Sequence, residues 1–242
     1  MSGGFVFYDG PSELDGQPIV GIMPSPDQAR LNSKTQKVLQ TYILCRDTAP
    51  LEAVKQGIDK SICGDCMHRG TGGDRSCYVQ VWSAPTQVWK AYQRGAYTPL
   101  PPVWANLVHA DLPVRLGTYG DPAAIPVSVW ETVLKDRKTI GYTHQWERLR
   151  FADLKQWCMA SVDSILEHHN AAVRGWRTFR VRLEIEKEHY FSEIPCPASA
   201  EGGRKTHCAD CLLCGGGTIG KDITIVAHGD KGKVAAFARK VA

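Results

Sequence analysis

The 242-residue chain carries 29 basic and 25 acidic residues, a net charge of +4, and is 43% hydrophobic and 22% charged. That balance belongs to a soluble globular protein with enough chain for one good core or two small ones, and it excludes a disordered or fibrous chain. The small positive excess does not argue nucleic-acid binding by itself.

In chain order, residues 1–18 are rich in Gly, Pro and Asp and read as an irregular lead-in. They show neither the basic region nor the apolar stretch of a secretory signal. Short β-type apolar runs then recur at 19–22, 41–44, 114–119, 139–143, 157–161, 178–183 and 223–227. Such runs fall far below the ~18 residues that a membrane span needs. The chain therefore reads as cytoplasmic, with no membrane partner. Helix-compatible segments lie between the runs at 84–94, 126–137, 147–156 and 162–175, and a basic amphipathic helix is predicted at 233–241. In 126–137, Val127, Trp130, Val133 and Leu134 share one face behind Pro126 at the first turn. Alternating strand and helix predicts one α/β domain over 1–242, a parallel sheet covered by helices that forms a complete or partial (β/α) barrel. A doubly wound sheet is the alternative. Residues 57–83 and 184–222 interrupt the alternation as insertions without regular structure. Loops that long in a compact domain are functional or stapled.

The two insertions hold seven of the nine cysteines. In a reducing compartment, thiols grouped in this way point to metal or redox chemistry over a disulfide framework. Cys208, Cys211 and Cys214 form a C-x2-C-x2-C run, with Cys196 and Pro197 upstream. Neighbours this close rarely reach disulfide geometry. A compact triplet with one distant Cys is the ligand pattern of ferredoxin-type iron–sulfur clusters. Structural zinc more often takes two ligand pairs and stands as the alternative metal. The glycines at 215–217 let the backbone come close, with N–H groups to donate to cluster sulfides. Cys63, Cys66 and Cys77 form the other group. Three thiols leave a fourth coordination position to Cys45, His68, a substrate or solvent. A zinc ion with three Cys and one His fits, and so does a cluster with one open iron. A single mixed centre drawing on both groups is a further arrangement. Cys158, inside an apolar run, reads as a core thiol.

Ligands bind at the C-terminal ends of parallel strands. By that rule Tyr119, Asp121, His144, Asp163 and Arg182 are candidates to contact a cofactor or substrate, and Gly117 and Gly120 can expose backbone to it. Capping roles compete: Asp121 as a turn residue beside Pro122, and Asp163 or Ser164 as the cap of the next helix. The neighbouring His168 and His169, and His189, read as solvated. The glycine-containing turn at 228–233 can hold a phosphate at a helix start but lacks P-loop spacing. Neither a G-x-S-x-G hydrolase signature nor a dinucleotide G-x-G-x-x-G after a strand is present.

Taken together, LNSKT at 31–35, CGDC at 63–66, RSCY at 75–78, RLGTYGDP at 115–122 and the block 196–215 resemble a family of phage- and prophage-encoded iron–sulfur proteins of unknown function. That family is distantly similar to radical S-adenosylmethionine enzymes. The resemblance spans most of 30–230. It implies a barrel-like α/β fold resembling the radical SAM fold, carrying a four-iron (4Fe-4S) cluster, with S-adenosylmethionine as a further cofactor. The turn at 117–121 and His144 would then hold cofactor or substrate. Radical SAM enzymes bind their cluster through three cysteines on one short loop. Here the first group is spread over a longer loop, and the compact triplet follows most of the strands. The resulting expectation is an iron–sulfur protein acting like a radical SAM enzyme on an unknown small molecule, in the host cytoplasm if phage-encoded. Two readings compete. One is an iron–sulfur- or zinc-stapled protein that binds nucleic acid or a host protein. The other is an electron-transfer protein with two clusters.

Overall fold

A computed structural model describes residues 3–26, 34–187, 189 and 192–241. Positions 31–33 of the LNSKT stretch lie outside the described residues. The described residues form ten strands: β1 Gly4–Pro11, β2 Pro18–Pro24, β3 Leu39–Cys45, β4 Thr98–Pro99, β5 Val114–Tyr119, β6 Thr139–Thr143, β7 Met159–Val162, β8 Thr178–Arg182, β9 Glu193–Pro195 and β10 Asp222–Val226. The helices are α1 Pro50–Gln56, α2 Lys60–Cys63, α3 Ala84–Gln93, α4 Pro102–Ala105, α5 Val127–Val133, α6 Ile165–Val173, α7 Cys208–Cys211 and α8 Lys231–Val241. Among the described residues no helix is long and apolar enough to cross a membrane.

All ten strands join one sheet in the order β4-β1-β2-β3-β5-β6-β7-β8-β10-β9. From β3 to β9 every neighbouring pair is parallel. The fold is thus mixed α/β, as the alternation predicts, but the sheet does not close into a barrel. The reason lies at its edges. β1 and β2 pair antiparallel and extend the sheet beyond β3, occupying the edge that closure would use. The short β4 adds to β1, and β9 flanks β10 at the far side.

The lead-in prediction fails at 4–11. Phe5, Val6 and Phe7 are buried there, and this aromatic and β-branched run hairpins back from β2. β5 and β6 match their predicted runs. β7 starts two residues late, because the backbone N–H groups of Trp157 and Cys158 both still donate to Leu154 O at the end of a 3-10 helix. That 3-10 helix, Leu149–Gln156, replaces a predicted α-helix. Its buried residues Phe151 and Leu154 are three apart, the spacing that aligns on a 3-10 helix. α5 forms where predicted, with Trp130 fully buried and its indole N–H donating to Pro122 O at 2.9 Å. Neither insertion is featureless: 57–83 holds α2, and 184–222 holds β9 and α7.

His168, predicted to be solvated, is instead buried on the inner face of α6, with Nδ1 2.7 Å from Thr178 Oγ1. Burial lowers its pKa below 6.5, against the opposing pull of Glu193. Between that lowered value and 6.5 the unfolded chain binds the proton and the folded chain does not. Stability is therefore fully present above 6.5 and falls as the pH drops through this window. The urea midpoint is expected to decrease between neutral pH and about pH 5, and His168→Gln to reduce that decrease. An equal decrease in the variant would remove His168 as its source.

Candidate functional site

Segments leaving the C-terminal ends of β3, β5 and β6 meet over a cavity of about 310 Å³. Cys63, Cys66 and Cys77, which follow β3, line it. So do Gly117, Tyr119, Gly120 and Asp121 at the end of β5, and His144 just after β6. Phe179, Val181 and Ile225 from β8 and β10 supply an apolar wall, and Val234 and Phe237 of α8 cover it. Thus all eight candidate residues from the first cysteine group, the 117–121 turn and position 144 are brought to one cavity.

Asp121 organises this end of the sheet. It is 5% exposed. Its Oδ1 accepts from Thr143 Oγ1 at 2.7 Å and from Ala123 N at 2.9 Å, and its Oδ2 accepts from His144 N at 2.8 Å. Its own N–H donates to Ile62 O at 2.6 Å, one residue before Cys63. The carboxylate therefore ties the end of β5 to the end of β6, and its backbone ties both to α2. Burial raises its pKa, and His144 and the hydrogen bonds oppose the rise. The capping role proposed for Asp121 is real, since it accepts from Ala123 N, and it coexists with a place in the cavity wall. The turn itself depends on Gly117, whose φ of 62° suits glycine. A Cβ there would meet Gly120 O at 2.4 Å.

The first thiol group is carried by α2 and the loop after it. Arg69 clamps that loop, donating to Gly64 O at 3.1 Å, Gly57 O at 2.9 Å and Asp59 Oδ1 at 2.7 Å. Gly64, with φ 57°, lets the Gln145 amide lie against the backbone and donate to Cys63 O. Burial pushes all three thiols up, Cys66 to about 12, and the charges of Cys66 and Cys77 each raise Cys63 further. Burial thus favours the neutral form of all three thiols. α8 closes the loop from above. Lys240 donates to Met67 O and, at 3.0 Å, to Arg69 O; Arg239 donates to Gly73 O at 2.6 Å; Lys233 donates to Val79 O at 3.2 Å.

The second thiol group sits farther along the sheet. Cys208 lines the same cavity, with its N–H donating to Lys34 O at 2.9 Å. Cys214 is held to β6 by the Gly141 N–H, 3.1 Å from Cys214 O, and Cys196 to β10 through Thr224 O at 2.8 Å. Cys196 and Cys214 pack with Met159, Phe179, Ile223 and Ile225. Burial pushes Cys214 to about 12; the Tyr142 hydroxyl opposes this, and Cys196, Cys208 and Cys211 add to it. The four thiols are thus electrostatic neighbours. Two of the three glycine N–H groups predicted for cluster sulfides are spent elsewhere: Gly215 N donates to Leu212 O and Gly217 N to Lys155 O.

Cys45, Cys158 and Arg182 lie outside the cavity wall. Cys45 points into the core, its thiol 3.6 Å from Ile58 O, and Cys158 does the same toward Leu154 O at 3.4 Å. Arg182 turns to Glu201 and to Glu186 O at 2.6 Å. His228 does line the cavity, with Nδ1 2.8 Å from Val226 O.

One grouping escaped sequence reasoning. Among the described residues, His68, His144 and Asp163 are the set whose ligating atoms all lie within 4.8 Å of one another. Cys63, Cys66 and Cys77 do not form such a set, since their three sulfurs do not all lie within 4.8 Å of one another. The available signal for Asp163 was Ser164-x-x-Glu167, a capping box. Ser164 Oγ accepts from Glu167 N at 3.1 Å, and Glu167 Oε2 accepts from Asp163 N at 2.6 Å. Ser164 is the cap, so the Asp163 carboxylate is released to His68. Comparisons with protein-family models, curated proteins and solved structures return no match for this chain.

Proposed function

We propose that this chain is an iron–sulfur protein with a cluster on Cys63, Cys66 and Cys77, one iron of which is left to a ligand in the cavity. The supporting observation is that three partly buried thiols follow β3 and face one cavity together with the 117–121 turn and His144. Three sulfurs that do not all converge within 4.8 Å suit a multi-iron centre better than a single zinc ion, which draws its sulfurs to about 2.3 Å from one point. A reduced cluster of this kind supplies an electron to a bound sulfonium such as S-adenosylmethionine. The residues around it have separable roles. Gly117 and Gly120 bring backbone close to a polar cofactor, Asp121 holds the turn, and the Phe179, Val181 and Phe237 wall excludes water. The substrate is a small molecule. Cys196, Cys208, Cys211 and Cys214 close the coordination of a second cluster, in a structural or electron-transfer role. The cysteine-stapled binding protein remains the competing reading.

Anaerobic reconstitution tests this. Iron and inorganic sulfide are expected in both thiol groups, with about half lost in Cys66→Ala and about half in Cys211→Ala. S-adenosylmethionine cleavage under reduction, read as deoxyadenosine or methylthioadenosine, is expected from the wild type and not from Cys66→Ala. Zinc in place of iron would reject the cluster. Cluster without cleavage would reject the reaction and favour electron transfer.

A further inference from the structure

The His68, His144 and Asp163 set is built like a mononuclear metal site and holds no sulfur, although Cys66 lines both of the cavities it borders. His68 Nδ1 is 2.9 Å from Ser76 Oγ, which leaves Nε2 facing Asp163 Oδ1 at 3.1 Å. His144 Nδ1 is 3.9 Å from Asp121 Oδ2, and its Nε2 is buried with no hydrogen-bond partner. Each imidazole thus has one nitrogen turned to an outer group and the other turned inward, the arrangement that orients histidine toward a metal. The rings meet edge to face, with centroids 5.3 Å apart. The Asp163 side chain is 4% exposed, and that of His68 is 13%. The set lies in a wall between two cavities. His68 lines the larger one, Asp163 a smaller one of about 160 Å³, and His144 both.

We infer that His68, His144 and Asp163 bind a single divalent first-row transition-metal ion, with its remaining coordination positions open to the cavities. Two imidazoles and one carboxylate suit Fe²⁺, Mn²⁺, Co²⁺ or Zn²⁺. The ion takes the place of the direct contact between His68 Nε2 and Asp163 Oδ1. The orphaned His144 Nε2 gains its missing partner, which a plain His–Asp hydrogen bond does not explain.

Mn²⁺ is the probe, because thiolates bind it poorly. The full chain, reconstituted anaerobically, is titrated with Mn²⁺ and followed by electron paramagnetic resonance. About one Mn²⁺ per chain is expected, with pulsed spectra showing coupling to two imidazole nitrogens. His144→Gln is expected to weaken binding at least 100-fold and leave one coupled nitrogen. Ser76→Ala, a milder change outside the ligand set, is expected to weaken it about 10-fold with both nitrogens kept. Wild-type spectra without nitrogen coupling overturn the inference even if a variant fails to fold. Unchanged affinity in a folded His144→Gln also overturns it.

Discussion

Asp121→Ala is expected to destabilise the protein by about 3–5 kcal/mol, among the largest single-residue effects in the fold. The change strands three donors at once: Thr143 Oγ1, Ala123 N and His144 N. The residue is 5% exposed, so bulk water does not reach these donors in the native protein. A buried donor left alone carries its full desolvation cost, about 1–3 kcal/mol each, part of which local relaxation recovers. Asp121→Asn separates acceptor loss from cavity formation. Its carbonyl oxygen can still serve Thr143 and Ala123, but its amide N–H₂ then faces the His144 N–H, donor against donor. A smaller loss of about 1–3 kcal/mol is expected. Urea denaturation with matched m-values measures both. A loss below 1 kcal/mol for the alanine variant would show that the Asp121 carboxylate is not the tie between β5 and β6.

Arg180→Met is expected to cost a similar 3–5 kcal/mol, for an electrostatic reason. Arg180 is wholly buried, and its guanidinium meets Glu193 in a two-pronged contact, Nε to Oε1 at 2.7 Å and Nη2 to Oε2 at 2.9 Å. Removing the cation leaves the Glu193 carboxylate inside the protein without its principal counter-charge. Removing both charges together should be far milder, since a well-packed apolar pair avoids the desolvation that an ion pair must overcome. Arg180→Met with Glu193→Leu is therefore expected to recover most of the loss. An additive double variant would refute the coupling. The pair also matters for the second thiol group. Glu193 opens β9, and Cys196 follows directly after its end, so β9 carries Cys196 toward the other three sulfurs.

Legibility from sequence followed local physics. β5 and β6 were readable because their apolar, β-branched runs are bounded by turn residues, and α5 because Pro126 and a 3.6-residue apolar stripe agree. β1 was not, since its Asp-Gly-Pro end outweighed the preceding Phe-Val-Phe-Tyr. β9 was not, since three residues at an edge carry no period. Closure of the sheet depends on which strands take its edges, and the antiparallel β1–β2 extension is a long-range choice with no local mark. The cavity residues were readable because the strand-end rule places them. The Asp163 partnership was not, because either Asp163 or Ser164 could cap α6, and only three-dimensional contact with a loop 95 residues away decides between them.

The contact between α8 and the thiol loop has a consequence for biosynthesis. Lys240 reaches back 171 residues to the loop carrying Cys66, and Phe237 packs on His68 with ring centroids 5.7 Å apart. On the ribosome, the first three thiols emerge long before the helix that covers them. Until α8 is released from the exit tunnel, the pocket has no roof. The loop is thus most accessible during translation, and docking of α8 then covers one side of the cavity.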